Sequence, residues 1–430
     1  MPQHMSQDWE SRIEKDAYLV VVDPVAHFFR YVTTARKKGL KIIVLSATPE
    51  VCRAEEKGHA RIDDAYCADG VVVLFLGYDA DDEQSALDVL APYRDRIVGL
   101  VAGDEVTVAA TARLGRALGF PYASEQDAGC QQIKSLMKQR LVSRNVRTPA
   151  FRAVSTLDEA TAAFNALGRD CMLKMVDYAM SYGVYRVRSP QELAERWSEI
   201  EARRGQLDHG FSTVDTVLVE EHIGGREFSV EGYEQGGRIE VLNFCEKLSH
   251  QNLMVVGHYI PARTSDAEAE ELCDVARDCV SALGIRNSVF HAEVHLFEGQ
   301  GYIIECAARP PGQYSVGVLE RIYGFDLMDL SIDLARGKPV AVRSRPPSSW
   351  NAIMALYAEK SGIVRSIDAL DELRARPECY SVKCAVEPGD PVNQLETFRD
   401  VLGLALLEAP DPDAIQTAYD WARSSVHFRV

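Results

Sequence analysis

The chain has 430 residues, of which 47% are hydrophobic, and its formal net charge is −17 at pH 7. That length predicts two to four domains or subdomains with sizeable cores. An acidic surface repels a phosphate backbone, so we expect no nucleic-acid partner. No apolar run is long enough to span a bilayer, and residues 1–8 lack the pattern of a signal peptide, which predicts a cytoplasmic protein without a membrane partner.

The cysteines argue against a zinc cage and against a disulfide framework. There are ten, and none belongs to a Cys-x-x-Cys pair. Several, such as Cys171 and Cys245, lie inside apolar runs. We therefore expect reduced thiols that act as small core residues.

The first part of the chain alternates apolar runs with helical segments. The predicted strands are 17–22, 41–45, 71–75 and 97–101, and a helix follows from Glu105 to Leu118, between Asp104 and Gly119. Unbroken apolar strands separated by helices indicate a parallel sheet covered on both faces. This predicts a Rossmann-like domain over 1–125, although no Gly-x-Gly-x-x-Gly dinucleotide fingerprint follows the first strand.

The pattern changes after residue 125. A helix is predicted over 128–145, and capping boxes at Thr156 and Ser189 predict the starts of two more helices. From Val217 onward antiparallel strands dominate, interrupted by a helix near 267–282. The predicted divisions are a small lobe over 126–222, a large lobe over 223–340 and a C-terminal α/β segment over 341–430.

A hairpin carries the strongest functional signal. Glu293 and Glu305 lie twelve residues apart, each on a short run typical of a strand, and 297–301 between them is typical of a turn. Folding that hairpin would place the two carboxylates side by side. Paired carboxylates in a cleft are typical of a magnesium site that holds nucleotide phosphates. Arg309 follows four residues later as a permanent cation.

Four motifs in a characteristic order identify a family. They are Lys134 on a helix before Pro149, Lys174 at a strand end with the loop 177–184, the segment 220–230, and the hairpin with Arg309. This order resembles the ATP-grasp superfamily of carboxylate–amine ligases. The resemblance covers essentially the whole chain, and it implies an α/β fold in which a two-lobed ATP-grasp unit follows the N-terminal domain.

Two features narrow the resemblance to one group of these ligases. Ala307 stands where most ATP-grasp enzymes carry a metal-binding asparagine, and the segment 256–262 precedes it. Together these are similar to the L-amino acid ligases, which are dipeptide synthases of bacterial secondary metabolism. The implied reaction joins two amino acids with ATP to give a dipeptide, ADP and phosphate. The missing asparagine leaves the number of metal ions and the metal geometry open.

The resemblance implies roles for individual residues. Lys134 and Lys174 would neutralise phosphates, and Ser181 lies in the loop that would close over them. Glu293 and Glu305 would hold Mg²⁺. The adenine would contact a hinge formed by Glu220, Glu221, His222 and Ile223. The ribose would contact the carboxylate of Glu227. Lys138 is expected to point to solvent, and a rim salt bridge with Arg226 or a neighbour is the alternative for Glu227.

Arg309 is the predicted catalytic residue, because a guanidinium stabilises the oxyanion that forms when an amine attacks a carbonyl. Candidate substrate contacts are His258, Gly312 and Gln313, and a hydrogen-bonded structural role is the alternative for His258. His291 and His295 alternate with Glu293, which makes them neighbours of the metal site without making them ligands.

The motifs are also compatible, to different degrees, with three other functions. A ligase for a non-amino-acid carboxylate remains open, because fold and motif do not set the substrate. A catalytically silent nucleotide-binding protein also remains open, because the loop 177–184 departs from the family pattern and the asparagine is missing at Ala307. A zinc deaminase is disfavoured, because His291-Ala292-Glu293 is not followed by Pro-Cys-x-x-Cys. The partners expected are small-molecule substrates, with a homodimer as the common default for assembly. The sequence does not show which carboxylate and which amine are joined, or in which order.

Overall fold

The computed structural model describes residues 17–23, 28–47, 73–79, 82–124, 128–178, 182–204, 214–250 and 254–430. Its N-terminal unit is a four-stranded parallel sheet in the order β3-β2-β1-β4. The strands are β1 (Tyr18–Val22), β2 (Lys41–Ser46), β3 (Val73–Gly77) and β4 (Ile97–Ala102). The helices are α1 (Phe28–Lys37), α2 (Glu83–Leu90) and α3 (Val108–Leu118).

The predicted parallel sheet is confirmed, and its burial explains the composition of its strands. Every residue of β1 is buried, as a central strand covered on both faces requires. Asp104 accepts a hydrogen bond from the Glu105 N–H at the start of a short 3₁₀ turn that leads into α3. The helix ends at Gly119, whose φ of +84° favours glycine.

The small lobe is an antiparallel sheet in the order β6-β9-β7-β8. Its strands, after the short β5 (Ala123–Ser124), are β6 (Phe151–Val154), β7 (Cys171–Met175), β8 (Val184–Val187) and β9 (Val217–Glu221). Its helices are α4 (Lys134–Ser143), α5 (Leu157–Ala166) and α6 (Pro190–Arg203). The capping box predicted at Thr156 is present at the start of α5.

The single helix predicted over 128–145 is wrong in its first turns. Residues 128–131 form a 3₁₀ turn, Ile133 has an extended backbone, and α4 begins at Lys134. The Gln131 side chain donates to the Leu283 carbonyl, and the Lys134 N–H donates to the Val176 carbonyl beyond β7. The second of these tertiary hydrogen bonds satisfies a backbone N–H that a continuous helix would have used internally.

An eight-stranded antiparallel sheet dominates the rest of the chain, in the order β15-β14-β10-β11-β12-β16-β21-β19. Its strands before residue 310 are β10 (Arg226–Gln235), β11 (Arg238–Ser249), β12 (Val255–Ile260), β14 (Ser288–Phe297) and β15 (Gln300–Ala307), and β13 (Ile285–Arg286) pairs with β5. The helices of this part are α7 (Asp266–Ala282), α8 (Gln313–Tyr323) and α9 (Leu327–Ala335).

The C-terminal segment extends the same sheet. It supplies β16 (Trp350–Leu356), β19 (Cys379–Cys384) and β21 (Gly403–Ala409). Its other elements are β17 (Gly362–Ile363), β18 (Ser366–Asp368), α10 (Leu370–Ala375), β20 (Pro391–Val392), α11 (Pro412–Ser425) and β22 (His427–Arg429). None of the helices in the described ranges is long and apolar enough to cross a membrane.

One continuous core joins the N-terminal sheet to the large lobe. It includes Tyr31 and Val101 from the former and Phe290 and Leu334 from the latter. The Tyr122 hydroxyl accepts from the Ala102 N–H at 3.3 Å and donates to the Ala308 carbonyl at 2.9 Å. The carboxyl edge of the N-terminal sheet is thereby held against the strand that carries Glu305.

Gly257 allows α11 to pack closely on the large sheet. A Cβ atom at this position would lie 2.3 Å from the Tyr419 hydroxyl oxygen. Gly257→Ala should therefore lower the free energy of unfolding by about 1–3 kcal/mol, measured by urea denaturation. The control is Gly115→Ala in α3, where a Cβ meets its nearest atom at 3.5 Å. That change should be neutral or stabilising, and equal losses in the two variants would contradict the packing argument.

Candidate active site

Polar side chains form three rows across one face of the large sheet. The register places Glu293 of β14 directly opposite Glu305 of β15, so the predicted pairing of the two carboxylates is confirmed. The neighbouring rows are Lys247–Glu227–His295 and Asn243–Glu231–His291, each running across β11, β10 and β14. Alternate residues of adjacent strands share a face, which brings distant parts of the sequence into one polar surface.

Two buried lysines hold the paired carboxylates. Lys247 Nζ lies 2.5 Å from Glu293 Oε1 and 3.1 Å from Glu227 Oε1. Lys134 Nζ lies 2.8 Å from Glu305 Oε1 and donates to the Tyr178 carbonyl at 2.6 Å. Burial alone would lower the pKa of Lys247, but the two glutamates beside it raise that pKa, so the ammonium stays charged.

Glu105 brings a further carboxylate from the N-terminal domain. It is 5% exposed, pairs with Arg309 Nη2, and lies 3.8 Å from Lys134 Nζ. Burial would raise the pKa of Glu105, but Arg309 lowers it to about 2. Burial and the nearby Glu105 charge raise the pKa of Glu305 well above its ordinary value. Glu105 therefore carries the negative charge that faces Arg309.

The donor set fits a hard divalent cation, although its geometry is not preformed. Within the described ranges, no three His, Cys, Asp or Glu side chains are gathered as a metal cluster. Glu305 Oε1 is buried and makes no well-directed hydrogen bond, despite the nearby Lys134 ammonium. Two adjacent carboxylates are suitable oxygen ligands for Mg²⁺ once they turn from the lysines.

The prediction that Lys138 points to solvent is wrong. Lys138 is 1% exposed, and its Nζ lies 2.8 Å from Glu220 Oε2. Lys174 Nζ lies 2.8 Å from the other oxygen of the same carboxylate, Oε1. Burial lowers the pKa of Lys138 to about 8, against the opposing effect of Glu220. Glu220 thus links two lysines, one of which the sequence assigned to phosphate binding.

The predicted adenine hinge lies at the end of β9. Its first residue, Glu220, uses its side chain for the two lysines. The Glu221 N–H donates to the Ala150 carbonyl at 2.8 Å, and the His222 N–H donates to the Asp170 carbonyl at 3.1 Å. An adenine that binds here must therefore contact the backbone carbonyl groups of this segment or the backbone of Ile223. The hinge remains a prediction.

The predicted phosphate-covering loop is described in part. Ser181 lies outside the described residues. On either side of the gap, the rings of Tyr178 and Tyr182 stack with centroids 5.3 Å apart. Gly183 has a φ of +68°, and a Cβ there would lie 2.6 Å from Met175 Sδ. This end of the loop is packed on the small lobe, so its glycine is needed for close approach as well as for its backbone angle.

The remaining predicted residues flank the carboxylate pair. Glu227 pairs with Lys247, its neighbour across the sheet, whereas Arg226 pairs with Glu246 and Glu268. The salt bridge that was the alternative for Glu227 is therefore formed, with a neighbour and not with Arg226. His258 of β12 lies opposite Lys247 in the register. Its Nδ1 is buried without a hydrogen-bond partner, and burial lowers its pKa to about 4. The neutral ring thus has a free nitrogen beside the site.

Gly312 and Gln313 mark the start of a helix near Arg309. Gly312 is the exposed N-cap of α8, and Gln313 is its first residue. Sequence reasoning missed Lys247, Glu105 and Glu231 as members of the cluster. The polar positions Glu227, Ser229 and Glu231 alternate along β10, which is a signal that would have predicted a polar face there.

Two parts of the chain match the models of known protein families. Residues 167–317 match the model of the ATP-grasp domain. The chain carries an ATP-grasp domain. Residues 354–430 match the model described as L-amino acid ligase C-terminal domain 2. The family resemblance found in the sequence is therefore confirmed.

The solved structure of the L-amino acid ligase from Bacillus licheniformis is similar throughout. It has a TM-score of 0.78 and 21% sequence identity, covering 97% of this chain and 99% of that one. The ADP complex of N5-carboxyaminoimidazole ribonucleotide synthetase has a TM-score of 0.67 and 15% identity, covering 95% and 96%. These likenesses establish the ATP-grasp fold, which confirms the predicted fold class.

Relatives by sequence are distant. The uncharacterized protein y4rH of Sinorhizobium fredii is 24% identical over 93% of this chain and 80% of its own. Alanine–anticapsin ligase of Bacillus subtilis is 20% identical, and the match spans 55% of this chain and about half of the relative, 53%. A formate-dependent phosphoribosylglycinamide formyltransferase of Wolinella succinogenes is 29% identical over 38% of this chain and 41% of its own.

Proposed function

We propose that this protein is an ATP-dependent ligase that forms an amide bond between the carboxylate of an L-amino acid and the amine of a second amino acid. The observation that carries the proposal is the cluster of buried Lys134 with partly buried Glu293, Glu305 and Arg309. The C-terminal domain that matches the L-amino acid ligases supports the choice of substrate class. ADP and phosphate would be the other products.

The reaction needs an activated acid, because an amine does not displace oxide from a carboxylate. The substrate carboxylate oxygen would attack the γ-phosphorus of ATP, breaking its bond to the β-phosphate oxygen and releasing ADP. The amine nitrogen would then attack the carbonyl carbon, the bond to phosphate would break, and the amine would lose a proton. Phosphoryl transfer asks the protein mainly for positioning and for charge neutralisation.

The lysines and the glutamates divide that task. Lys134 lies on α4, where its Nζ donates to the Tyr178 carbonyl, and Lys174 lies on β7, which precedes the loop 177–184. Both are buried cations suited to phosphate oxygens. Mg²⁺ held by Glu293 and Glu305 would neutralise further charge on the phosphates. The proposed binding site for ATP lies between the small lobe, 126–222, and the large lobe, 223–340, with Glu221, His222 and Ile223 at the base and Glu227 at the ribose.

Arg309 is the proposed catalytic residue of the second step. Burial would lower the pKa of the guanidinium, but Glu105 raises it, so the side chain remains fully charged. The ion pair with Glu105, which belongs to the N-terminal domain, also holds the guanidinium in place. A fixed cation stabilises the developing oxyanion more than the neutral carbonyl, which is the condition for catalysis. His258, Gly312 and Gln313 remain the proposed substrate contacts.

The proposal is tested by incubating pairs of amino acids with ATP and Mg²⁺ and measuring phosphate release and product mass. We expect ADP, phosphate and a dipeptide for at least one pair, with no product from Glu305→Gln. AMP and pyrophosphate as products would contradict the acyl-phosphate route. Carboxylates that lack an amino group form the second arm, because one relative carries a formate-dependent activity in its name. Product from that arm alone would establish the alternative ligase.

A further inference from the structure

His291 lies where the metal site lacks a side-chain donor. The register places it directly opposite Ala307 and two residues before Glu293 on β14. Residues two apart on a strand share a face, so His291 and Glu293 face the same side of the sheet. Ala307 is 2% exposed and ends at its Cβ, so it offers no donor atom at this level of the hairpin.

A buried carboxylate fixes the histidine ring. His291 Nδ1 lies 3.0 Å from Oε1 of Glu231, which is 1% exposed. Glu231 also accepts from Ser229 Oγ at 2.6 Å and from Asn243 Nδ2 at 2.8 Å, so its own position is set by the neighbouring strands. The other ring nitrogen, Nε2, lies 3.4 Å from Glu293 Oε1.

We propose that His291 is a third side-chain donor to the divalent cation, through Nε2, and that Glu231 is the carboxylate that orients it. Metal-binding histidines almost always donate their other ring N–H to a carboxylate, carbonyl or water, which is the arrangement seen here. The proposal rests on the proposed function for the location of the metal at Glu293 and Glu305. A nitrogen donor would favour Co²⁺ over Ca²⁺ at this site.

His295 offers a matched comparison on the same strand and face. Its Nδ1 lies 3.4 Å from the Gly224 carbonyl, and its Nε2 lies 3.8 Å from Glu227 Oε2. The side chain is 24% exposed, against 11% for His291. No buried carboxylate contacts Nδ1 of His295 within the described residues, so the environment that orients a ligand is specific to His291.

The test uses Mn²⁺ as the probe, with the full chain and a non-hydrolysable ATP analogue. Pulsed electron paramagnetic resonance detects a nitrogen nucleus bonded to Mn²⁺, and ¹⁵N-labelled histidine identifies the residue type. We expect a histidine nitrogen coupling in the wild type that disappears in His291→Ala and persists in His295→Ala. The Mn²⁺ affinity should fall about tenfold or more in His291→Ala and remain unchanged in His295→Ala.

A histidine coupling that survives His291→Ala, or a wild-type spectrum without histidine nitrogen while Mn²⁺ is bound, would overturn the proposal. Should His291→Ala not fold, a labelled wild-type signal that persists in both His295→Ala and His258→Ala still supports it, and loss of that signal in either variant refutes it. None of these readouts needs ligase turnover. Histidine coupling without amide formation would therefore refute only the proposed function, and turnover without histidine coupling would refute only this inference.

Discussion

Arg309→Ala should lower the rate of amide formation about 100- to 1,000-fold, while ATP binding stays nearly unchanged. The guanidinium is held by Glu105 beside the carboxylate pair, so it is ordered before the substrate arrives. An interaction that strengthens only as the oxyanion forms is lost from the transition state and not from the nucleotide complex. Phosphate release with product mass measures the first quantity, and calorimetric titration with an ATP analogue measures the second.

Two further variants separate catalysis from stability. Arg309→Lys keeps a cation beside Glu105, so it should recover much of the folding stability without recovering the rate, because lysine lacks the planar fork of arginine. Arg321→Ala removes a half-exposed arginine of α8 that pairs with Glu408, and it should leave turnover unchanged. Wild-type turnover in Arg309→Ala would remove this residue from the proposed role.

Glu220→Gln should lower the free energy of unfolding by about 3–5 kcal/mol. Its carboxylate is 1% exposed and neutralises Lys138 and Lys174, one on each oxygen. An amide would leave two buried ammonium groups close together without a counter-charge. Breaking a buried ion pair costs much more than its net contribution, because the remaining charge stays desolvated. Chemical denaturation monitored by circular dichroism measures the loss.

Lys138→Met is the matched variant for the group formed by Glu220, Lys138 and Lys174. It removes one of the two lysines and leaves Glu220 paired with Lys174, so one negative charge still faces one positive charge. The loss should be clearly smaller than in Glu220→Gln, since methionine fills similar volume without a charge. Equal losses in the two variants would show that packing, and not charge neutralisation, sets the importance of Glu220.

The fold and the carboxylate pair were predictable because their signals are local. Apolar runs separated by helices indicated the parallel sheet, and a turn between two short strands indicated the Glu293–Glu305 hairpin. Lys138 was misjudged even though it follows Lys134 by one helical turn. Residues four apart share a helix face, so the two lysines point toward the same buried surface. That error came from neglecting periodicity and not from missing information.

Glu105 and Glu231 depend on contacts that no local pattern encodes. Glu105 meets Arg309 across 204 positions of sequence, and Glu231 meets His291 across 60. The division into domains drawn from the sequence, 1–125, 126–222, 223–340 and 341–430, remains a proposal. The sequence also gave no sign that β16, β19 and β21 would extend the large sheet, because pairing between separate segments depends on register and packing.

The sequence by itself determined most of the elements, the paired glutamates and the ATP-grasp domain, because strand periodicity, turns and motif order are properties of neighbouring residues. Only the tertiary structure decided which charge neutralises which. Lys247 bridges Glu227 and Glu293, and Glu220 separates two lysines, because the strands and helices that carry them pack together. The interaction energy of two charges in a low-dielectric interior depends on the distance between them, and that distance is set by how the elements pack.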